Sequence, residues 1–173
     1  MSTSIYEQIM VALLAVIKTN CGSTFVTYSR RLKTWEQMIQ DLQNGQPTVK
    51  QPALYLYDGV GLGGGRVKYE PRGRGSPGVR ILERSIVIYA MFPGGGTPRG
   101  IDSTTAGGTI FAPLVDAIEL AFSPEVGDGP GGTLTLGGLV SHCWIEGESI
   151  WITPDIDQNG QGMLTFPVRI MIP

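Results

Sequence analysis

Apolar positions recur at helical spacing near the start of the chain and again after its midpoint. Between residues 5 and 17 they fall three or four apart, which predicts an amphipathic helix with its apolar side against a core. Ser4 and Glu7 fit a capping box at its start, and Gly22 is placed to end it. A second apolar stripe predicts a helix over 106–122, although Pro113 favours a start nearer Phe111.

Most of the other apolar runs have the alternation or the β-branched composition of strands. They predict strands at 24–28, 52–57, 79–92, 133–136, 139–146 and 149–153, with a short helix near 34–43. The final strand alternates cleanly and predicts a half-buried strand, with Thr165 and Arg169 on one face and the apolar positions on the other: Leu164, Phe166, Val168, Ile170 and Ile172. The order of elements predicts one α+β domain over residues 1–173. Its mainly antiparallel or mixed sheet packs against two main helices on one face.

Residues 58–78 join two of these strands and contain GVGLGG at 59–64, a match to G-x-G-x-x-G. A dinucleotide-binding turn needs a helix directly after these glycines, because the helix N-terminus holds the pyrophosphate. The next residues, RVKYEPRGRGSP, contain two prolines and two further glycines, so they do not predict a helix. Residues 58–78 are therefore interpreted as a flexible loop or arm, and no cofactor is predicted.

Candidate metal and catalytic groups are equally sparse. DIDQNG at 155–160 matches the first half of an EF-hand loop, but Phe166 stands where the bidentate Glu belongs. His142 and Cys143 are neighbours on a predicted strand, so they point to opposite faces and cannot form a dyad. Glu146 and Glu148 are typical of a solvated strand edge. The sequence predicts no metal site, no catalytic residues and no enzyme.

The cysteines and the first residues of the chain indicate its cellular compartment. Both cysteines have apolar neighbours, and the first residues lack a basic signal-peptide region. We therefore expect reduced, buried thiols in a cytosolic protein. No apolar run reaches the length of a membrane span.

The charged residues are few and are distributed unevenly along the chain. Charged residues make up 16% of the chain and the net charge is −2. Twelve of the 13 basic residues lie in 1–100, whereas 9 of the 15 acidic residues lie in 101–173. Either the surface charges drifted this way, or the subunit is polarised and packs unlike faces together. A basic cluster near the glycines is the candidate partner-binding set, for a protein surface, for nucleic-acid phosphates or for neither: Arg66, Lys68, Arg72, Arg74 and Arg80.

Two long stretches resemble a known family. They are TYSRRLKTWEQMIQDLQNGQPTVKQPALYLYD and LGGLVSHCWIEGESIWITPDIDQNGQGMLTFPVRIMIP. With the N-terminal helix and the helix near 111–122, their layout resembles the tail terminator, or tail completion, proteins of long-tailed, siphovirus-like bacteriophages. The likeness covers nearly the whole chain.

The resemblance implies a structural virion protein without catalytic residues. It implies a homo-oligomeric ring, typically a hexamer, at the head-proximal end of the tail tube. Such a ring ends tube polymerisation and joins tail to head, so the implied partners are the tail tube protein and a neck or head-completion protein. The implied location is the virion, after assembly in the cytoplasm of the host bacterium. For such a ring, non-specific contact with DNA in the lumen is a further expected interaction. The alternatives are another neck or minor tail protein, and a nucleic-acid-binding module that uses residues 66–80.

Overall fold

The computed structural model describes residues 4–30, 37, 40, 44, 52–57, 66–70, 78–91, 106–123, 134–148, 150–152 and 161–173. Within them the helices are α1 (Ile5–Cys21) and α2 (Ala106–Ala121). The strands are β1 (Thr27–Ser29), β2 (Ala53–Tyr57), β3 (Arg66–Glu70), β4 (Val79–Met91), β5 (His142–Ile145), β6 (Ile150–Ile152) and β7 (Gln161–Ile172). They form one mixed, mainly antiparallel sheet with both helices packed on one face. The predicted α+β fold class is confirmed.

Two long antiparallel strands, β4 and β7, form the centre of the sheet. They pair continuously from Arg80 opposite Ile172 to Met91 opposite Gln161. Strands β2 and β3 lie end to end along the outer edge of β4, and β5 and β6 lie end to end along the outer edge of β7. Strand β1 extends the sheet by parallel pairing with β2.

The glycine-rich motif falls at the break between β2 and β3. Tyr57 lies opposite Ser85, and Arg66 lies opposite Glu83, so only Arg84 of β4 separates the two strands. The prediction of a continuous loop or arm over 58–78 is wrong for Arg66–Glu70, which form β3, because Val67 packs against the main core. Residues 58–65 and 71–77 lie outside the described residues. A strand of the same sheet thus follows the glycines where a dinucleotide turn needs a helix.

The main core lies between the helices and one face of the sheet, here called the helix face. α1 contributes Ile9, Leu13 and Ile17, and α2 contributes Leu114 and Ile118. The predicted alternation of β7 is confirmed, since its whole apolar set is buried on this face: Leu164, Phe166, Val168, Ile170 and Ile172.

The opposite face, here called the second face, is buried at the end where β2 pairs with β4. A small cluster there is formed by Ala53, Tyr55, Val87 and Tyr89. Thr165 of β7 lies opposite Val87 and is also buried. The prediction that β7 is half-buried is therefore wrong at this end, where both faces are covered.

Tyr55 provides a test of this second cluster. Its ring meets Tyr89 edge to face at 5.7 Å, and among the described residues no hydrogen-bond partner lies near its hydroxyl oxygen. Tyr55→Phe removes a desolvated hydroxyl, so we expect it to raise the free energy of unfolding by about 1 kcal/mol. Tyr28→Phe is the matched control and should lower it, because the Tyr28 hydroxyl donates to the Gly22 carbonyl at 2.7 Å.

Urea unfolding at neutral and alkaline pH measures both effects. Burial, and then the neighbouring Tyr89, raises the pKa of Tyr55 to about 12, above the value of about 10 in an unfolded chain. The folded state favours the neutral phenol. Its protonation therefore contributes to the free energy of unfolding below pH 10, and this contribution is lost as pH rises towards 12. Tyr55→Phe should reduce that alkaline loss. A lower free energy of unfolding for Tyr55→Phe would contradict the assignment of the Tyr55 hydroxyl as buried without a hydrogen-bond partner.

The helix ends differ in detail from the predictions. Ser4 is the N-cap residue of α1, but its side chain makes no capping hydrogen bond. Glu7 instead accepts a hydrogen bond from Arg30, which lowers the pKa of the Glu7 carboxyl, so the predicted capping box is wrong. Gly22 ends α1 as predicted, with φ 54°. α2 begins at Ala106 and runs through the exposed Pro113, so the helix predicted over 106–122 is confirmed and the later start near Phe111 is wrong.

Three predicted strands are also revised. The strand predicted at 133–136 is wrong for its described residues, since Leu134 and Thr135 lie in a turn and Leu136 begins the 3₁₀ turn Leu136–Gly138. Leu136 takes φ 49° while its side chain is buried in the main core. The strand predicted at 139–146 begins only at His142. The strand predicted at 24–28 is shifted to Thr27–Ser29. Of the helix predicted near 34–43, only Gln37 and Gln40 are described, and both are helical. Residues 155–160 lie outside the described residues.

Candidate interaction surface

At the end where β3 and β5 form its two edges, the second face carries exposed and partly exposed side chains around the buried Val79 and Ile81. Register aligns Arg66, Glu83, Arg169 and Trp144 in one row across β3, β4, β7 and β5. The next row contains Lys68, Ile81, Met171 and His142. Here the β3–β5 surface means the described side chains of these two rows other than the buried Ile81, together with Glu146 at the end of β5: Lys68, Glu83, His142, Trp144, Glu146, Arg169 and Met171.

Arg169 is the centre of the first row. Its guanidinium forms an ion pair with Glu83, and its Nε lies 3.9 Å from Oε2 of Glu146. The indole Nε1 of Trp144 donates to the same Glu146 oxygen at 2.7 Å. The His142 ring stacks on Trp144, with centroids 5.4 Å apart and planes at 23°. One cation thus positions two carboxylates, and through Glu146 it also orients an aromatic pair.

Exposure divides the β3–β5 surface into a support and a contact layer. The Glu83 side chain is 14% exposed and that of Arg169 is 29% exposed, whereas Glu146 is 54% exposed. Lys68 and His142 are exposed as well. The less exposed layer therefore consists of the Glu83–Arg169 pair, and the more exposed layer consists of Lys68, His142 and Glu146.

Gly147 shapes the break between β5 and β6 beside this surface. It has φ 109°, and a Cβ there would lie 3.2 Å from Cγ of Pro167. Pro167 has no N–H to donate, and its carbonyl accepts the Glu146 N–H at 3.2 Å. The turn thus fixes Glu146 relative to Arg169.

Gly147→Ala is expected to lower the free energy of unfolding by about 1–2 kcal/mol, because both the backbone conformation and the close approach disfavour a side chain. Chemical denaturation measures the loss. Glu148→Ala, at an exposed neighbouring position, is the control and should stay near the wild-type value. Equal losses in the two variants would argue against the strain.

The structure separates the basic residues that the sequence grouped together. Lys68 lies on the second face, and the register places the backbone of Arg66 opposite Glu83. Arg80 belongs to the helix face, where its guanidinium lies 6.0 Å from the centroid of the Tyr6 ring and donates to the Pro173 carbonyl at 3.3 Å. Arg72 and Arg74 lie outside the described residues. The expectation of one shared basic surface is therefore wrong for Arg80.

A second exposed surface lies on the other side of the subunit. α2 buries Leu114, Ile118 and Ala121 against the sheet, so its opposite side faces solvent. Exposed there are Ala112, Pro113, Asp116, Glu119 and Leu120, here called the outer α2 face. Leu120 is 53% exposed, and α2 contains no Lys or Arg. This surface is acidic, with Leu120 exposed near the C-terminal end of the helix.

The thiols and the histidine are placed apart. Cys143 is buried in the main core, whereas His142 is exposed on β5, so the predicted opposite orientation of these neighbours is confirmed. Burial raises the pKa of Cys143 and raises the pKa of Cys21 to about 11. Neither thiol is in the reactive thiolate form near neutral pH. Among the described residues no group of three His, Cys, Asp or Glu side chains is arranged to hold a metal ion.

Sequence reasoning missed the β3–β5 surface as a unit. One signal was present, because His142, Trp144 and Glu146 alternate along one strand, and Arg169 and Met171 alternate along another. Period two places each set on one face. Their meeting depends on the pairing of β5 with β7.

Comparison with known proteins adds no family to this description. No model of a known protein family and no curated protein matches the chain. In the part of the chain that the structure describes, neither helix has the length and apolar character of a membrane span.

Proposed function

We propose that this protein is a structural subunit of a bacteriophage tail. In this proposal copies of the chain form a ring, typically of six, at the head-proximal end of the tail tube. The ring ends tube polymerisation and presents the surface that joins the tail to the neck proteins of the head. The proposal starts from the family resemblance of the sequence, and the β3–β5 surface is the structural observation that carries it.

The β3–β5 surface supports assembly because three of its partly exposed groups are of the types enriched where proteins meet. Aromatic residues, Met and Arg are over-represented at protein interfaces, and this surface presents Trp144, Met171 and Arg169 together. The Arg169 charge is already paired with Glu83, so this side chain needs little further ordering when a neighbour binds. A subunit that carries such a surface outside its own core is suited to a multi-subunit particle.

The nucleic-acid alternative has less support. A phosphate-binding segment needs several cations on one side, whereas Arg80 lies on the helix face with Tyr6 and Pro173. Among the described members of the basic set, Lys68 remains exposed on the second face. Tight DNA binding that weakens steeply with salt, and that Lys68→Glu reduces, would restore this alternative.

The direct test is electron microscopy of phage particles produced without this protein. We expect tails of uncontrolled length and heads that remain unattached, because nothing ends the growing tube or joins it to the neck. Supplying the wild-type chain should restore normal tails. Normal virions in its absence would overturn the proposal.

A further inference from the structure

The half of the sheet that carries the β3–β5 surface ends in two strand edges. Among the described strands, β3 pairs only with β4, and β5 pairs only with β7. Each of these edge strands therefore directs a row of backbone N–H and C=O groups away from the sheet. Such a row can accept a further strand from another chain.

The hydrogen-bonding pattern of β5 shows which of its residues point outward. The Pro167 carbonyl of β7 accepts the Glu146 N–H, and Glu146 continues the register of β5 with β7. Hydrogen-bonded and non-hydrogen-bonded pairs alternate along an antiparallel ladder. The backbone groups of Trp144 therefore point towards β7, whereas those of Cys143 and Ile145 point outward.

The same alternation gives the outward residues of β3. Because the backbone groups of Pro167 point towards β5, those of Val168 point towards β4, and the registers carry the alternation across β4 to β3. The backbone groups of Lys68 therefore point towards β4. Those of Val67 and Tyr69 point outward.

The two edges match each other in direction and in side-chain face. Four strands, each antiparallel to the next, run from β3 to β5, so the two edge strands are antiparallel to one another. An odd number would leave parallel edges whose outward residues had side chains on opposite faces. Here the outward residues of both edges have their side chains on the helix face: Val67, Tyr69, Cys143 and Ile145. The edge that complements β3 is therefore the β5 edge of an identical copy.

We propose that β3 of one copy pairs with β5 of the next copy as an antiparallel strand. One register uses all the outward residues: Val67 lies opposite Ile145 of the next copy, and Tyr69 lies opposite Cys143 of the next copy. Each of these pairs exchanges two backbone hydrogen bonds. The ladder also covers Tyr69, which is 67% exposed in the single subunit.

This contact rests on the proposed ring and names the strands that build it. β3 and β5 are unlike edges, so each copy binds one neighbour through β3 and another through β5. Repetition of such a contact produces a ring when the rotation closes. The contact depends on backbone groups and side-chain faces, and it requires no pairing of charges.

Proline at an outward position tests the ladder with purified protein. Tyr69→Pro removes one outward N–H but no hydrogen bond between β3 and β4, and proline is tolerated at such edge positions. We expect association to weaken about tenfold or more, because a ladder hydrogen bond is lost and its acceptor is left without a partner. Tyr69→Thr is the matched control, since it loses the same ring but keeps the N–H.

Light scattering behind a sizing column measures the effect. Tyr69→Pro should give smaller species at concentrations at which the wild-type chain and Tyr69→Thr both form rings. Circular dichroism checks that each variant is folded.

Cross-linking tests the register and does not depend on the proline variant. The assigned register places Glu70 opposite His142 of the next copy, at a non-hydrogen-bonded position where Cα atoms are closest. A mixture of Glu70→Cys and His142→Cys chains should therefore form disulfide-linked dimers under mild air oxidation. Val11→Cys mixed with His142→Cys is the control, because Val11 is exposed on α1, in the helix layer, and this mixture should stay unlinked.

The outcomes separate this contact from the proposed function. If the wild-type chain forms rings that Tyr69→Pro does not weaken, or if Glu70→Cys and His142→Cys chains do not cross-link, the contact is overturned while the ring stands. Equal weakening by Tyr69→Pro and Tyr69→Thr also overturns it. A wild-type chain that stays monomeric at the highest concentration overturns the contact, and the microscopy of particles made without the protein then decides the proposed function independently.

Discussion

Replacement of Phe166 with Ala is expected to lower the free energy of unfolding by about 3–5 kcal/mol. Phe166 is buried on the helix face of β7, directly opposite Ile86, which in turn lies opposite Leu56. The ring therefore forms one end of a buried row that crosses three strands on the helix face. Its removal forfeits the transfer free energy of the ring and leaves a cavity that neighbouring strands cannot easily close.

Urea unfolding followed by circular dichroism measures this loss. Met171→Ala is the matched control, because it removes a large apolar side chain from the same strand at a partly exposed position on the second face. We expect it to cost less than about 1 kcal/mol, in keeping with surface substitutions. Equal losses for the two variants would contradict the assignment of the core to the helix face.

The spacing of apolar residues along the chain was sufficient to predict α1 and the buried face of β7. The helical spacing of Ile9, Leu13 and Ile17 predicted α1, and the alternation of Phe166, Val168 and Ile170 predicted the buried face of β7. In both cases the period of the side chains matches the period of the backbone, so burial can be read from spacing alone. The two-layer arrangement followed from the order of these elements.

Where the prediction failed, tertiary contacts overrode a local signal. β3 stands among glycines and prolines that predict a loop, yet Val67 reaches the core and the edge of β4 offers backbone hydrogen bonds. Ser4 and Glu7 have the spacing of a capping box, but in the folded chain Glu7 forms an ion pair with Arg30. Leu136 has strand-like neighbours, and its burial is achieved in a 3₁₀ turn.

The β3–β5 surface depends on pairings between distant strands, which sequence spacing does not contain. Glu83, Trp144 and Arg169 are far apart in the sequence and become neighbours only through the registers of β4 and β5 with β7. Conversely, Lys68 and Arg80 are near in sequence but lie on opposite faces of the sheet. Proximity along the chain was therefore a poor guide to which charges share a surface.

Loss of the central cation of this surface should have the second largest effect on stability. Arg169→Met keeps most of the side-chain volume but leaves Glu83, 14% exposed, without its ion pair. Removing one partner of a fully buried pair costs about 3–5 kcal/mol. The partial exposure of Arg169 reduces this, so we expect a loss of about 2 kcal/mol by urea unfolding.

A double-mutant cycle isolates the pair. Glu83→Gln should also destabilise the protein, and the combined variant should lose less than the sum of the two single changes, because the interaction is already absent in either one. Lys68→Met removes an exposed cation from the same surface and should change stability by less than about 0.5 kcal/mol. Additive losses at positions 83 and 169 would show that the two side chains do not interact. A coupled loss would mean that the ion pair between Arg169 and Glu83 stabilises the sheet.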